Sequence, residues 1–112
     1  MKEAGFMYVV RFWVAPQARG AVMGWLEGGH VAEVVGQPGF LWCRQLDLGE
    51  RDERGWAAYA MIYGIESGAA FDAYRADAAL AEKFAAEREP FARQLRMERW
   101  GGSVVLAVDR PR

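Results

Sequence analysis

Apolar residues fall along this chain in two periods. From Phe6 to Val14 the sequence FMYVVRFWV is dense in β-branched and aromatic residues, the composition of a strand. Phe6, Tyr8, Val10, Phe12 and Val14 share one face; Met7, Val9, Arg11 and Trp13 share the other. Both faces are mostly apolar, so both are expected to be covered. The interrupting Arg11 and the alternation suit a strand better than the apolar stretch of a signal peptide. From Pro16 the period lengthens. Val22, Met23, Trp25 and Leu26 lie three and four apart, which predicts a helix that Pro16 opens. Gly28-Gly29 predicts a bend just before His30, where the backbone would expose that side chain. Val31, Val34 and Val35 predict a second short helix, stopped by Gly36-Gln37-Pro38-Gly39.

The two-residue period returns over 40–48, where Phe40, Trp42, Arg44, Leu46 and Leu48 alternate with Leu41, Cys43, Gln45 and Asp47. A charged loop with glycine at each end, 49–55, joins it to a further strand over 56–65. The two are expected to form a hairpin with antiparallel strands. Ser67 and Asp77 stand where side chains cap helix starts. Leu80, Phe84, Phe91 and Leu95 recur at helical spacing, and Pro90 predicts a break at Glu89. Segments 96–100 and 103–108, split by Gly101-Gly102, supply one more strand or a hairpin. The order β-α-β-β-α-β is that of a ferredoxin-like, antiparallel α+β sheet with its helices on one face, as a single domain over 1–112. No segment remains to cover the other face. The expected cover is a second copy related by a two-fold axis, making a homodimer.

Composition narrows the function mainly by exclusion. The 112 residues hold 14 Lys+Arg against 15 Asp+Glu, interleaved, for a net charge of −1. Neither the basic patch of a nucleic-acid binder nor the polybasic surface of a membrane binder is present. One Cys forbids an intrachain disulfide and suits the cytoplasm. One His and one Cys do not make an all-protein zinc site. No apolar run is long enough to span a bilayer. Neither phosphate-binding glycine loop nor Ser-His-Asp triad is recognisable, since Ser67 and Ser103, the two serines, stand at cap or turn positions. No metal or cofactor is expected.

Trp25-Leu26, His30, Val34 and Pro38-Gly39-Phe40, followed by Phe71, Tyr74 and the basic Arg93, Arg96 and Arg99, resemble a family of small uncharacterised bacterial proteins of the dimeric α+β barrel superfamily. The similarity spans most of residues 6–108 and implies a dimeric barrel. It carries no assigned activity. The superfamily includes cofactor-independent quinol monooxygenases, haem-degrading enzymes, isomerases and stress proteins, and fold alone does not choose among them. Its monooxygenases commonly use an Asn beside Trp or His, and this chain contains no Asn.

The candidate ligand-binding residues are His30, Arg44, Trp42, Tyr8 and Tyr59. His30 is the side chain whose ordinary pKa suits proton transfer near neutrality, with Glu27 and Glu33 each three residues away. It equally suits a hydrogen bond to a backbone carbonyl at a helix junction. Arg11 and Arg44 interrupt apolar strands. Each either grips an anionic ligand or reaches water or an acid such as Asp47 or Glu98. Arg44 shares its face with Trp42, which favours a cavity there. The 15 aromatic residues line either a pocket or a core and interface. Three functions follow. The first is a dimer binding a small apolar or aromatic molecule between sheet and helices. The second is a cofactor-free monooxygenase- or isomerase-like enzyme acting on an activated phenol or quinol, with His30 as base. The third is a structural dimerisation domain, favoured by any pocket below about 300 Å³.

Overall fold

The computed structural model describes residues 3–112. Strand β1 runs over Phe6–Val14, β2 over Phe40–Arg51, β3 over Ala57–Ile65 and β4 over Leu95–Ser103. They form one sheet in the order β2-β3-β1-β4, every neighbouring pair antiparallel. Helices α1 (Arg19–Trp25) and α2 (Val31–Val35) link β1 to β2. Helices α3 (Gly68–Ala76) and α4 (Ala78–Arg88) link β3 to β4. The predicted α+β, ferredoxin-like arrangement is therefore the observed one.

Sequence accounts for most of these boundaries. Pro16 opens a 3-10 turn ahead of α1. The Ser67 hydroxyl accepts from the Ala70 N–H at 3.2 Å, and the Asp77 carboxylate from the Leu80 N–H at 3.0 Å. Each cap satisfies a backbone donor that the first helical turn leaves free. Asp77 also ends α3, so the two helices meet at an abrupt corner. A further 3-10 turn over Glu89–Phe91 carries Pro90 beyond the end of α4, as expected.

The core lies between the sheet and the helices. Tyr8, Val10, Phe12 and Val14 of β1 and Tyr59, Met61, Tyr63 and Ile65 of β3 meet Val22, Leu26, Val34, Phe71 and Phe84 from the helical layer. The opposite sheet face carries Met7, Val9, Arg11 and Trp13, with Ile62 from β3, Trp42, Arg44 and Leu46 from β2, and Trp100 from β4. The Trp13 ring lies under two guanidinium groups, Arg96 at 3.9 Å and Arg11 at 4.7 Å from its centroid. No described helix packs on this face, and Trp100 is 51% and Leu46 42% exposed.

Two features depart from the sequence expectation. β4 continues through Gly101-Gly102 as a single strand ending at Ser103, and residues 105–108 follow without secondary structure. β2 also contains an irregularity. Phe40 pairs with Ile65 and Cys43 with Tyr63, so three steps along β2 match two along β3. That extra residue breaks the alternation. Phe40 turns into the core, while Trp42, Arg44 and Leu46 turn to the uncovered face.

Candidate functional site

Between the sheet and the helices is a narrow cleft of about 30 Å³, close to the room one water needs. β1 contributes Tyr8 and Val10, β3 Met61 and Tyr63, and β4 Met97 and Arg99. From the helical side come His30, Val34, Tyr74, Phe84 and Arg88. Alternation places the strand residues. Tyr8 stands opposite Tyr63 across β1 and β3, and Val10 opposite Arg99 across β1 and β4. Two larger recesses adjoin the cleft, one of about 170 Å³ lined by Tyr74, Leu80 and Phe84, the other of about 380 Å³ lined by Ala85, Leu95 and Met97. Arg88 and Arg99 line both recesses as well as the cleft.

His30 enters the cleft because the helix between α1 and α2 is widened. Residues Leu26–His30 make a π-turn, and Gly29 within it has φ 152°, a conformation open to glycine and strained for other residues. The expected bend is thus present, but it buries the imidazole, at 8% exposure, instead of exposing it. The ring stacks on Trp25 with centroids 4.2 Å apart and meets the edge of Phe84 at 4.6 Å. Its Nδ1 is buried without a hydrogen-bond partner; the nearest carboxylate oxygen, Glu87 Oε1, is 3.8 Å away. That same oxygen accepts a hydrogen bond from Trp25 Nε1 at 3.1 Å, so Trp25 orients both groups. Burial lowers the His30 pKa from its ordinary value near 6.5, with Glu87 and Glu33 opposing the shift. The imidazole is accordingly neutral at pH 7 and able to accept a proton, with a carboxylate near enough to favour the resulting cation.

The three cleft tyrosines are held as neutral phenols. Burial pushes Tyr63 well above its ordinary value and Tyr74 up to about 12. Burial raises Tyr8 as well, against the pull of the Arg99 positive charge. The Tyr63 hydroxyl donates to the Met61 sulfur at 3.7 Å, and all three phenols are reluctant to give up a proton. Burial also lowers the pKa of Arg88, and the positive charge of Arg99 adds to that effect.

Of the residues singled out in the sequence, Tyr8 and His30 come together in the cleft. Tyr59 lies at the far end of the core, stacked on Phe12 and accepting a hydrogen bond from Arg19 Nε at 2.7 Å. Trp42 and Arg44 are on the uncovered sheet face. There the Arg44 guanidinium lies 5.4 Å from the Trp42 ring and donates to the Cys43 carbonyl at 2.9 Å. Arg11, also on that face, pairs with Glu50. Cys43 is half-buried beside Tyr63, and burial pushes its thiol up. Arg88 escaped the sequence reading altogether. Arg99 was visible only as part of a basic stretch; its signal is position, since it follows Leu95 and Met97 on the inward face of β4. Among the described residues no three His, Cys, Asp or Glu side chains cluster as a metal site would require. No described helix is long and apolar enough to cross a membrane.

No family model and no curated protein matches the chain in sequence. Solved structures do resemble it. A monooxygenase from the gene ActVA-Orf6 of Streptomyces coelicolor, in complex with the ligand nanaomycin D, is 21% identical with a TM-score of 0.67, over 96% of this chain and 94% of that one. SnoaB, a cofactor-independent oxygenase from Streptomyces nogalater, is 20% identical with a TM-score of 0.63, over 96% of this chain and 100% of its own. A dimeric ferredoxin-like protein from an uncultured marine organism is 14% identical with a TM-score of 0.58, over 92% and 97%. At such identities the likeness shows the fold: this chain has the ferredoxin-like α+β architecture that small bacterial oxygenases also use.

Proposed function

We propose that this protein works as a homodimer that takes a small apolar or aromatic molecule into the cleft between its sheet and its helices. The observation that carries this reading is the convergence of Tyr8, Tyr63, Tyr74 and His30 on one apolar-walled space, flanked by two recesses. The cleft alone, at about 30 Å³, falls on the side of a structural domain; what favours binding is the adjoining recess of about 380 Å³ and the convergence of polar groups, for which a structural core has little use. The cleft is closed at about 30 Å³, well below a ligand's needs, so binding requires α4 to lift. Phe84 is its one buried side chain, so lifting α4 forfeits chiefly that ring's packing, which a bound aromatic ring replaces. The partner copy covers the face bearing Trp13, Trp42, Leu46 and Trp100, as the dimeric neighbour's fold supports. The cytoplasm suits its lone, half-buried thiol.

Light scattering tests the dimer, with a mass near twice the 12.6 kDa chain expected. Titration with naphthalenes and hydroxynaphthoquinones tests the cleft. Fluorescence of Trp25, stacked on His30, is expected to change, and the melting temperature to rise. A monomer at micromolar concentration, or no response to any of these compounds at millimolar concentration, overturns the respective half of the reading.

A second reading draws on the oxygenase names of the structural neighbours. In it His30 takes a proton from an activated phenol or quinol, and the electron-rich anion reacts with dioxygen. A ring C–H of the phenol becomes a carbonyl, giving a quinone; that hydrogen and the hydroxyl proton leave with the second oxygen atom as water, so all four electrons come from the substrate. Oxygen uptake after chelator treatment, lost in His30→Gln, is expected; equal uptake by the variant removes His30 from the chemistry.

A further inference from the structure

We infer that Arg88 and Arg99 form a receptor for the carboxylate of an aromatic acid at the mouth of the cleft. This rests on the ligand-binding reading above and specifies the class of molecule. Arg88 comes from the last turn of α4, and Arg99 from the inward face of β4. They approach from opposite walls, and both line the cleft and its two recesses. Elsewhere in the chain, basic groups facing acids are paired with them: Arg11 with Glu50, Arg54 with Asp52, Lys83 with Glu33. Among the described residues neither Arg88 nor Arg99 has such an ion pair. Of the neighbouring acids, Glu87 is committed elsewhere, accepting from Trp25 and facing His30 and Lys83, and Glu89 lines the larger recess without an ion pair to either arginine. Arg99 instead reaches the Met97 sulfur at 3.4 Å.

Two guanidinium groups lining one space without an ion-paired acid repel each other, and Arg88 bears the added cost of being half-buried. An anion between them relieves both terms. A carboxylate fits best, because its two oxygens match the forked donors of a guanidinium. The rest of such a ligand is apolar and flat. Behind the arginines stand Leu80, Phe84, Tyr74 and Met97, which offer ring faces and aliphatic surface, while a third cation, Arg75, lines the smaller recess and adds to its positive charge. A carboxylate on an aromatic ring therefore meets complementary chemistry at both ends.

The test compares 1-naphthoate with its neutral counterpart 1-naphthalenemethanol by calorimetric or fluorescence titration of the full-length protein. The acid is expected to bind at least about tenfold more tightly, as suits a charge-assisted contact partly open to water. Raising the salt to about 0.5 M is expected to erase most of that preference. Arg88→Gln and Arg99→Gln are each expected to weaken naphthoate about tenfold and to leave the alcohol within about twofold. Circular dichroism melts establish that each variant is folded; the acid-to-alcohol ratio and its salt dependence in the unaltered protein decide the matter without them. Equal binding of acid and alcohol, or equal weakening of both by the variants, overturns this inference and leaves the cleft reading standing. Binding of neither overturns both.

Discussion

Phe84→Ala is the most informative single change, because the ring of Phe84 both closes the cleft and holds α4 to the body of the protein. Phe84 is 4% exposed, meets the His30 ring edge-on at 4.6 Å, and lines the cleft and the adjoining recess alike. Its loss forfeits a buried aromatic transfer term of about 1.5–3 kcal/mol. It also removes about 100 Å³ of side chain, which at about 24 cal/mol per Å³ adds about 2.4 kcal/mol if the space stays empty. Two effects compete over that second term. The sheet side is a rigid wall and will not collapse inward. The lining, however, includes Tyr8, Tyr74, His30 and Arg88, so water can enter and be hydrogen-bonded. Hydration wins part of the cavity term back, and the expected loss is about 3–4 kcal/mol within the usual Phe→Ala range. Against a typical stability of about 5–15 kcal/mol the variant stays folded. Urea unfolding followed by tryptophan fluorescence, at one fixed protomer concentration because a dimer's stability depends on it, measures the loss. The enlarged space is also expected to accept benzoate, which at a hundred times its dissociation constant restores about 2.7 kcal/mol. A loss below about 1 kcal/mol refutes the claim that Phe84 anchors α4. A full loss with no recovery in saturating benzoate refutes the view of the cleft as ligand-ready.

Three further outcomes follow from the same structure. Because burial lowers the His30 pKa, the unfolded chain binds the extra proton first, so stability is expected to fall as pH drops below about 6.5 toward the folded value. That slope should flatten in His30→Gln, and equal slopes in the two proteins contradict the assignment. Glu87 and Glu33 facing the ring reduce the effect, while Arg88 and Arg99 enlarge it. Gly64→Ala would place a Cβ 2.2 Å from the Trp42 indole, so the ring must leave its seat on the uncovered face. A cost of about 1–3 kcal/mol is expected in urea, with a weaker dimer by light scattering; an unchanged protein would mean that Trp42 is not fixed there. Asp77→Ala removes the cap on α4, and a loss of about 1 kcal/mol is expected in the same unfolding assay, with Asp77→Ser recovering most of it.

The layout of the sheet was legible because strand and helix periods differ and glycine or proline separates them. The hairpin of β2 and β3, the caps at Ser67 and Asp77, and the stop at Pro90 all follow from local chemistry. Three points were not legible. The β2 irregularity depends on how that strand meets β3, so strict alternation grouped Phe40 with Trp42 and Arg44, which the structure separates. The continuity of β4 through Gly101-Gly102 has a tertiary cause: a Cβ on Gly101 would lie 2.7 Å from the Phe6 ring, so glycine is there for room and does not mark a turn. The cleft itself was half visible. Tyr8 and His30 stood out by chemistry, but nothing in the local pattern marks Arg88. Only the folding of α4 against β4 brings it to Arg99.

The widened turn at Leu26–His30 has a consequence for how this site could arise or vanish. A π-turn holds one residue more than the α-helical path it replaces, and each residue step rotates the following side chains by about 100°. Excising a single codon at Gly28 or Gly29 would therefore swing the imidazole away from Tyr8 while leaving every strand in place. Sister sequences that differ here by one position in length would share this scaffold and lack its proton acceptor, so gap placement at this point, more than residue identity, would separate the two kinds.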